Sequence, residues 1–153
     1  MLHSLLQARL SAQQHEQRLG DVRPRNVFVN DKRQVRVANS LSWPMENSNV
    51  QKALDKTHTY IAPEDLARLS RGEFFDGPSD ISEAFSIGLS ALSAANLADY
   101  EESLYDMKGM HFREEEFGKA LSTLAFNQGY SEVLRGAILS LLNLDTARRM
   151  PCD

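Results

Sequence analysis

This chain of 153 residues lacks three features that define large classes of proteins. It has a single cysteine, Cys152, so it cannot form an internal disulfide, and this suits a reducing compartment. No apolar run approaches the roughly 18 residues that a membrane span needs, and the N-terminus lacks the apolar segment and cleavage site of a secretory signal. With 17 basic and 21 acidic residues, the net charge is −4, which argues against a broad nucleic-acid-binding surface. We therefore expect a soluble cytoplasmic protein that binds neither nucleic acid nor membranes.

The composition that remains is typical of one globular domain. Hydrophobic residues make up 42% of the chain and charged residues 25%. There is no internal repeat and no low-complexity linker, so we predict a single domain spanning residues 1–153. The histidines at positions 3, 15, 58 and 111 have no metal-ligand spacing, and no metal site is predicted.

The apolar pattern predicts a mainly α-helical fold with one small β-hairpin. Leucines at positions 2, 5, 6 and 10 indicate an amphipathic helix over residues 2–13. Two short β-like runs, Val27–Val29 and Val35–Val37, flank a polar turn and predict the hairpin. Helical spacing recurs over residues 65–69, 82–97, 112–126 and 133–144. The segment 82–97 is apolar on most faces, so we expect it to be the buried helix.

The stretch Leu19–Ser42 holds the residues that suggest chemistry. It reads LGDVRPRNVFVNDKRQVRVANSLS and places the acid Asp21 five residues before the carboxamide of Asn26. On a loop that leads into a hairpin, this spacing lets both side chains face one cleft. A simpler alternative is that Asp21 only bonds to backbone N–H groups of its own turn and that Asn26 bridges Asp21 and the backbone.

The order of the motifs resembles the C-terminal lobe of the protein kinase family. In that family H-R-D-L-x-x-x-N is followed by D-F-G and then by A-P-E. Here Leu19–Asn26 falls on the catalytic loop, Val37–Leu41 on the strand into D-F-G, and Thr57–Glu64 keeps A-P-E. Glu83–Gly88 resembles the D-x-[FWY]-S-x-G start of the central helix, and Leu141–Arg149 resembles the last helix with its terminal arginine. The resemblance covers nearly the whole chain and implies a kinase-like C-lobe whose N-terminal lobe is absent.

The resemblance also implies that the catalytic apparatus is degraded. Asp21, Arg23 and Asn26 match the base, the phosphate-steadying cation and the metal-ligating Asn, but only as degenerate positions. Asn39 stands where D-F-G has its metal-binding Asp, and a hard divalent cation prefers a carboxylate there. Leu19 replaces the motif's His. We therefore expect no enzymatic activity, no catalytic residue and no bound cofactor or metal.

Four residues are instead predicted to have structural roles. By the resemblance, Glu64 and Arg149 would form a buried ion pair, against the alternative that they are two unrelated surface charges. Glu83, at the start of the central helix where the family has Asp, is the third, and the apolar Leu19, in place of the motif's His, suits a position in the core.

We expect a non-catalytic pseudokinase C-lobe that acts as a protein-binding or structural subunit of a larger assembly. Its partner would bind the former interlobe face, around residues 2–10, Leu19, the hairpin and residues 41–44. In the pair Phe74 and Phe75, one ring would fold inward and the other could anchor a partner. A cytoskeletal or ciliary assembly is the expected setting, although no residue indicates it. The alternatives are a nucleotide-binding or kinase-regulating partial kinase domain completed by another chain, and a decoy that binds through the helices at 112–144.

Overall fold

The computed structural model describes residues 1–15, 17–32, 34–38, 60–75, 77–106 and 108–151. Within these ranges the protein is mainly helical, with two small antiparallel sheets. In the described ranges, no helix has both the length and the apolar character needed to cross a bilayer. Asn39, residues 41–44 and Cys152 fall outside the described residues.

The described residues form six α-helices, one 3₁₀ turn and four short strands. The N-terminal half of the chain contains α1 (Leu2–Gln14), a 3₁₀ turn (Pro24–Asn26), β1 (Val27–Val29), β2 (Val35–Val37) and α2 (Pro63–Ser70). The second half contains α3 (Asp80–Asn96), α4 (Glu101–Leu104), β3 (Tyr105–Asp106), β4 (His111–Phe112), α5 (Glu114–Phe126) and α6 (Glu132–Leu141).

The buried helix predicted at 82–97 is confirmed as α3, which begins two residues earlier. A reciprocal capping box starts it: Ser79 Oγ accepts from the Ser82 N–H, and the Ser79 N–H donates to Ser82 Oγ. Every residue from Ser82 to Ser93 is buried. Helices α1, α5 and α6 pack around it, so α3 forms the centre of the core.

Helix α1 is confirmed, but the face that it buries differs from the predicted leucine stripe. Leu2, Leu5 and Arg9 are buried, whereas Leu10 is 38% exposed. Of the residues 2–10 expected to face a partner, Leu2, Leu5 and Arg9 are therefore part of the core. The reason is that Arg9 finds acidic partners on α3, including Glu83 at 2.5 Å, so the charged residue takes the inward position.

The predicted hairpin is confirmed at both strands. Val27 pairs with Val37, Phe28 with Arg36 and Val29 with Val35. Side chains alternate across a strand, so three of the valines pack against the core while Phe28 and Arg36 point to the opposite face.

The two C-terminal helices are confirmed with shifted ends, and α6 ends at Leu141, three residues before the predicted end at 144. Helix α5 starts at Glu114 because Phe112 belongs to a strand instead and pairs with Tyr105. The Phe112 ring lies 5.2 Å from that of Phe117 and 5.9 Å from that of Phe85, measured between centroids. These contacts place Phe117 in the core, which removes it from any partner surface on this helix.

Candidate functional site

The loop after α1 is fixed to the central helix by one buried carboxylate. Glu83 is fully buried on α3, and its Oε1 accepts hydrogen bonds from the N–H of Leu19 at 2.8 Å and of Gly20 at 3.3 Å. Gly20 has φ of +77°, a conformation that glycine adopts without the strain of a side chain. Leu19 itself is half-buried. The structure therefore brings together Glu83 and Leu19, which the sequence had assigned structural roles separately.

The same carboxylate is part of an ion-pair cluster with α1. Arg9, which is 2% exposed, binds Glu83 Oε2 through Nε at 2.5 Å and also pairs with Asp80. Burial raises the pKa of Glu83, while the Arg9 guanidinium and the two backbone N–H groups oppose this rise. Sequence reasoning missed the role of Arg9. The signal was its position seven residues after Leu2 and four after Leu5, on the buried face of the helix.

The three polar residues of the predicted catalytic-loop match do converge. Asn26 Nδ2 donates to the carbonyl oxygen of Asp21 and to its Oδ2, each at 3.0 Å. Arg23 Nη2 lies 2.6 Å from the same Oδ2. All three residues are buried, with Asp21 5% exposed. The alternative in which Asn26 bridges Asp21 and the backbone is confirmed.

A second acid, Glu101, completes this cluster and was not predicted. Its Oε1 lies 3.3 Å from Arg23 Nη1, and its other oxygen pairs with Arg25. Glu101 is 7% exposed, although it sits in the segment 98–111, which showed no clear sequence pattern. Asp21, Arg23, Arg25 and Glu101 thus form a network of two acids and two arginines whose formal charges cancel; Arg25 is exposed and the other three are buried.

The environment of Asp21 limits what its carboxylate can do. Burial raises its pKa, while the charge of Arg23 and the hydrogen bonds from Asn26 and Arg23 act in the opposite direction. Among the described residues, Oδ1 has no hydrogen-bond partner. Asp21 also lines a small cavity of about 20 Å³, whose other walls are mainly apolar and include Tyr60, Ile61 and Phe75. That volume accommodates about one water.

Glu64 and Arg149, 85 positions apart in the chain, form the predicted ion pair. Arg149 Nη1 lies 2.5 Å from Glu64 Oε1, and Nη2 donates to Oε2 at 3.1 Å. The arginine side chain is fully buried, donates to the carbonyls of Ile81 and Asn143, and stands 5.0 Å above the Phe85 ring. The interpretation as two unrelated surface charges is wrong.

Other predicted residues are less informative about chemistry. Phe75 is fully buried and Phe74 is 66% exposed, so one ring of this pair folds inward as expected. Asn39, the predicted degenerate metal position, falls outside the described residues. Within the described ranges, no group of three or more His, Cys, Asp and Glu side chains is arranged to hold a metal ion.

No protein-family model, no curated protein and no solved structure matches this chain. Its function is therefore inferred from its own residues.

Proposed function

We propose that the chain is a non-catalytic, kinase-like C-terminal lobe that serves as a protein-binding or structural subunit. Contacts between the residues of the matched motifs support the kinase-like part. Glu64 of A-P-E binds Arg149, and Glu83 of the central-helix motif holds Leu19 and Gly20 of the catalytic-loop match. These contacts join motifs that are 63 to 85 positions apart.

The burial of Asp21 carries the non-catalytic part of the proposal. A general base has to reach the proton that it removes, within about 3 Å or through one water. The Asp21 side chain is 1% exposed, and its Oδ2 is already bound by Arg23 and Asn26. The adjoining cavity has about 20 Å³, the space of roughly one water, so a substrate hydroxyl fits beside this carboxylate poorly. The acid stabilises the loop instead.

A nucleotide-binding partial kinase domain, completed by another chain, is the second candidate. The contact between Asp21 and Asn26 favours it, because these two positions would face the transferred phosphate and its metal ion. The arginines that neutralise Asp21 and Glu101 weigh against it, since a buried and already compensated site has little charge to offer Mg²⁺.

The binding part of the proposal depends on exposed apolar residues of the hairpin. Phe28 is 57% exposed on the face turned away from the core, and Val29, on the other face of the strand, is 58% exposed. In a two-lobed kinase this hairpin would meet the N-terminal lobe, and aromatic side chains such as that of Phe28 are enriched at protein–protein interfaces. A cytoplasmic setting in a cytoskeletal or ciliary assembly stays a prediction.

Nucleotide titration tests the proposal. The melting temperature is measured with increasing ATP and Mg²⁺ for the parent chain, for Asp21→Asn and for the matched surface variant Glu115→Gln. A phosphoryl-transfer assay is run beside it. We expect no saturable shift and no transfer. A saturable shift that Asp21→Asn abolishes and Glu115→Gln retains would establish the nucleotide-binding alternative instead.

A further inference from the structure

The open face of the hairpin combines an aromatic ring with positive charge. Phe28 and Arg36 are directly opposite each other on β1 and β2, on the face turned away from the core. Both side chains are exposed, and so is Lys32 in the connecting turn. We call Phe28, Lys32 and Arg36 the hairpin patch.

The charge of this region is opposite to that of the chain as a whole. Residues 17–38 contain six arginines and lysines and two aspartates, which gives the segment a net charge of +4 in a chain of net charge −4. The one acid of this segment outside the turn, Asp21, is buried and already paired with Arg23. Arg23 and Arg25 are also compensated by Glu101, so the exposed charges of the described residues outside that network are Arg18, Lys32 and Arg36 against Asp31. The exposed part of the segment therefore keeps a positive charge on a negative protein.

We infer that the hairpin patch binds an acidic segment of a partner protein that carries an apolar or aromatic residue between its carboxylates. This rests on the proposed function and names its partner chemistry. An apolar residue of the partner would pack on the Phe28 ring, while the flanking carboxylates would pair with Arg36 and Lys32. Arginine suits this role because its planar guanidinium takes a carboxylate through two hydrogen bonds.

The net charge of the chain favours an acidic protein segment over a nucleic acid or a second copy of the chain as the molecule that binds this surface. A nucleic acid also binds cations and stacks on aromatic rings, but at −4 the whole chain repels a polyanion beyond the local patch. A second copy would have to place its own acidic surface on the hairpin of the first. A short acidic protein segment makes the same contacts with the hairpin patch. Because it is short, it lies near less of the negatively charged surface of the rest of the chain.

Fluorescence anisotropy with a labelled copolymer of glutamate and tyrosine tests the inference. The variants are Arg36→Glu and Phe28→Ser, both at exposed positions, and the matched control is Arg148→Glu, an equally exposed arginine outside the hairpin. We expect saturable binding that weakens about tenfold in Arg36→Glu and severalfold in Phe28→Ser, with Arg148→Glu within about twofold of the parent. Binding should also weaken as salt rises, since the Debye length shrinks to about 3 Å at 1 M.

Four outcomes would overturn the inference. They are an absence of binding, equal losses in Arg36→Glu and Arg148→Glu, tighter binding of single-stranded polyuridine at the same ionic strength, and self-association in light scattering that Arg36→Glu abolishes. If the copolymer does not bind and ATP causes no thermal shift, the inferred acidic partner is ruled out and the non-catalytic function is retained. A thermal shift with ATP overturns the function without bearing on the patch.

Discussion

The Glu83 carboxylate, on the central helix α3, accepts a hydrogen bond of 2.8 Å from the backbone N–H of Leu19. The two residues are 64 positions apart. Through its other oxygen the same carboxylate binds Arg9 of α1. One buried acid thus joins the first helix, the loop that follows it and the core helix.

Glu83→Ala should destabilise the fold by roughly 3–5 kcal/mol, because it leaves the Arg9 guanidinium buried with only the more exposed Asp80 carboxylate as a partner. Urea unfolding followed by circular dichroism measures the effect. The control Glu114→Ala, at an exposed position in the first turn of α5, should stay within about 0.5 kcal/mol of the parent.

A double variant separates the ion pair from the general loss of packing. Arg9→Met combined with Glu83→Leu should be more stable than Glu83→Ala, since no unpaired charge is left in the core. If the double variant is no more stable, the hydrogen bonds to the loop matter more than the pair with Arg9.

Arg149→Met should cost roughly 3–5 kcal/mol in the same unfolding measurement, because it strands Glu64 and removes the bonds to the carbonyls of Ile81 and Asn143. The adjacent Arg148 offers a matched control. Its side chain is 80% exposed and pairs only locally with Asp145, so Arg148→Met should change stability by less than about 0.5 kcal/mol. Similar losses in the two variants would show that the Glu64–Arg149 contact does not stabilise the fold.

Asp65 should make the folded state less stable as the pH rises from about 4 to 6. Burial raises its pKa from 3.8 to about 6, with a smaller contribution from Glu64, and the hydrogen bond from Ser82 and the charge of Arg68 oppose this. Because the folded state then holds the proton more tightly than the unfolded state, this group stabilises the fold fully below about pH 4. This contribution to stability is lost as the pH rises through about 6. Above that pH the buried charge of Asp65 lowers the free energy of unfolding by at most roughly 3 kcal/mol.

Asp65→Asn tests this sign. The variant should be more stable than the parent at about pH 7.5, and its advantage should shrink as the pH falls to about 4. Urea midpoints at the two pH values measure it. An advantage that does not depend on pH would indicate a change in packing rather than the removal of a buried charge.

Substitution by alanine should change the stability of the fold in opposite directions at two glycines. A Cβ at Gly88 would lie 2.8 Å from Leu141 Cβ and 3.0 Å from Leu142 Cγ, at the contact between α3 and α6. Gly88→Ala should therefore destabilise the fold by about 1–2 kcal/mol, since overpacking outweighs the gain in helix propensity.

The matched position is Gly118 in α5, where a Cβ would meet nothing within 4 Å. Gly118→Ala should raise stability by up to about 1 kcal/mol, because alanine favours the helix and no contact opposes it. Thermal unfolding of both variants checks the pair. Two changes of the same sign would show that the approach of α3 to α6 is not tight.

The sequence predicted the regular elements well, because each depends on a local pattern. The alternation of valines places β1 and β2 at the residues expected, and the apolar run at 82–97 places α3 within two residues of its start. The exceptions lie between residues 98 and 112. Helix α4 and the β3–β4 sheet were not predicted there, and Phe112 fits the helical spacing of α5 but pairs with Tyr105 in that sheet. A pairing partner seven residues away overrides the local pattern there.

The candidate site was only half predicted. Asp21, Arg23 and Asn26 stand close together in the chain, and their convergence followed from that spacing. Glu101 comes from a segment without periodicity, and only the tertiary fold brings it to Arg23 and Arg25.

By itself the sequence determined which stretches are helix or strand and which residues form the polar loop, since apolar periodicity and turn residues act over a few positions. Only the tertiary structure decided which charges are buried. Arg9 and Glu101 look like surface residues, and they are buried because each meets an opposite charge from a distant part of the chain. A buried charge is tolerated only when such a partner compensates its lost hydration, and that condition depends on packing rather than on sequence neighbours.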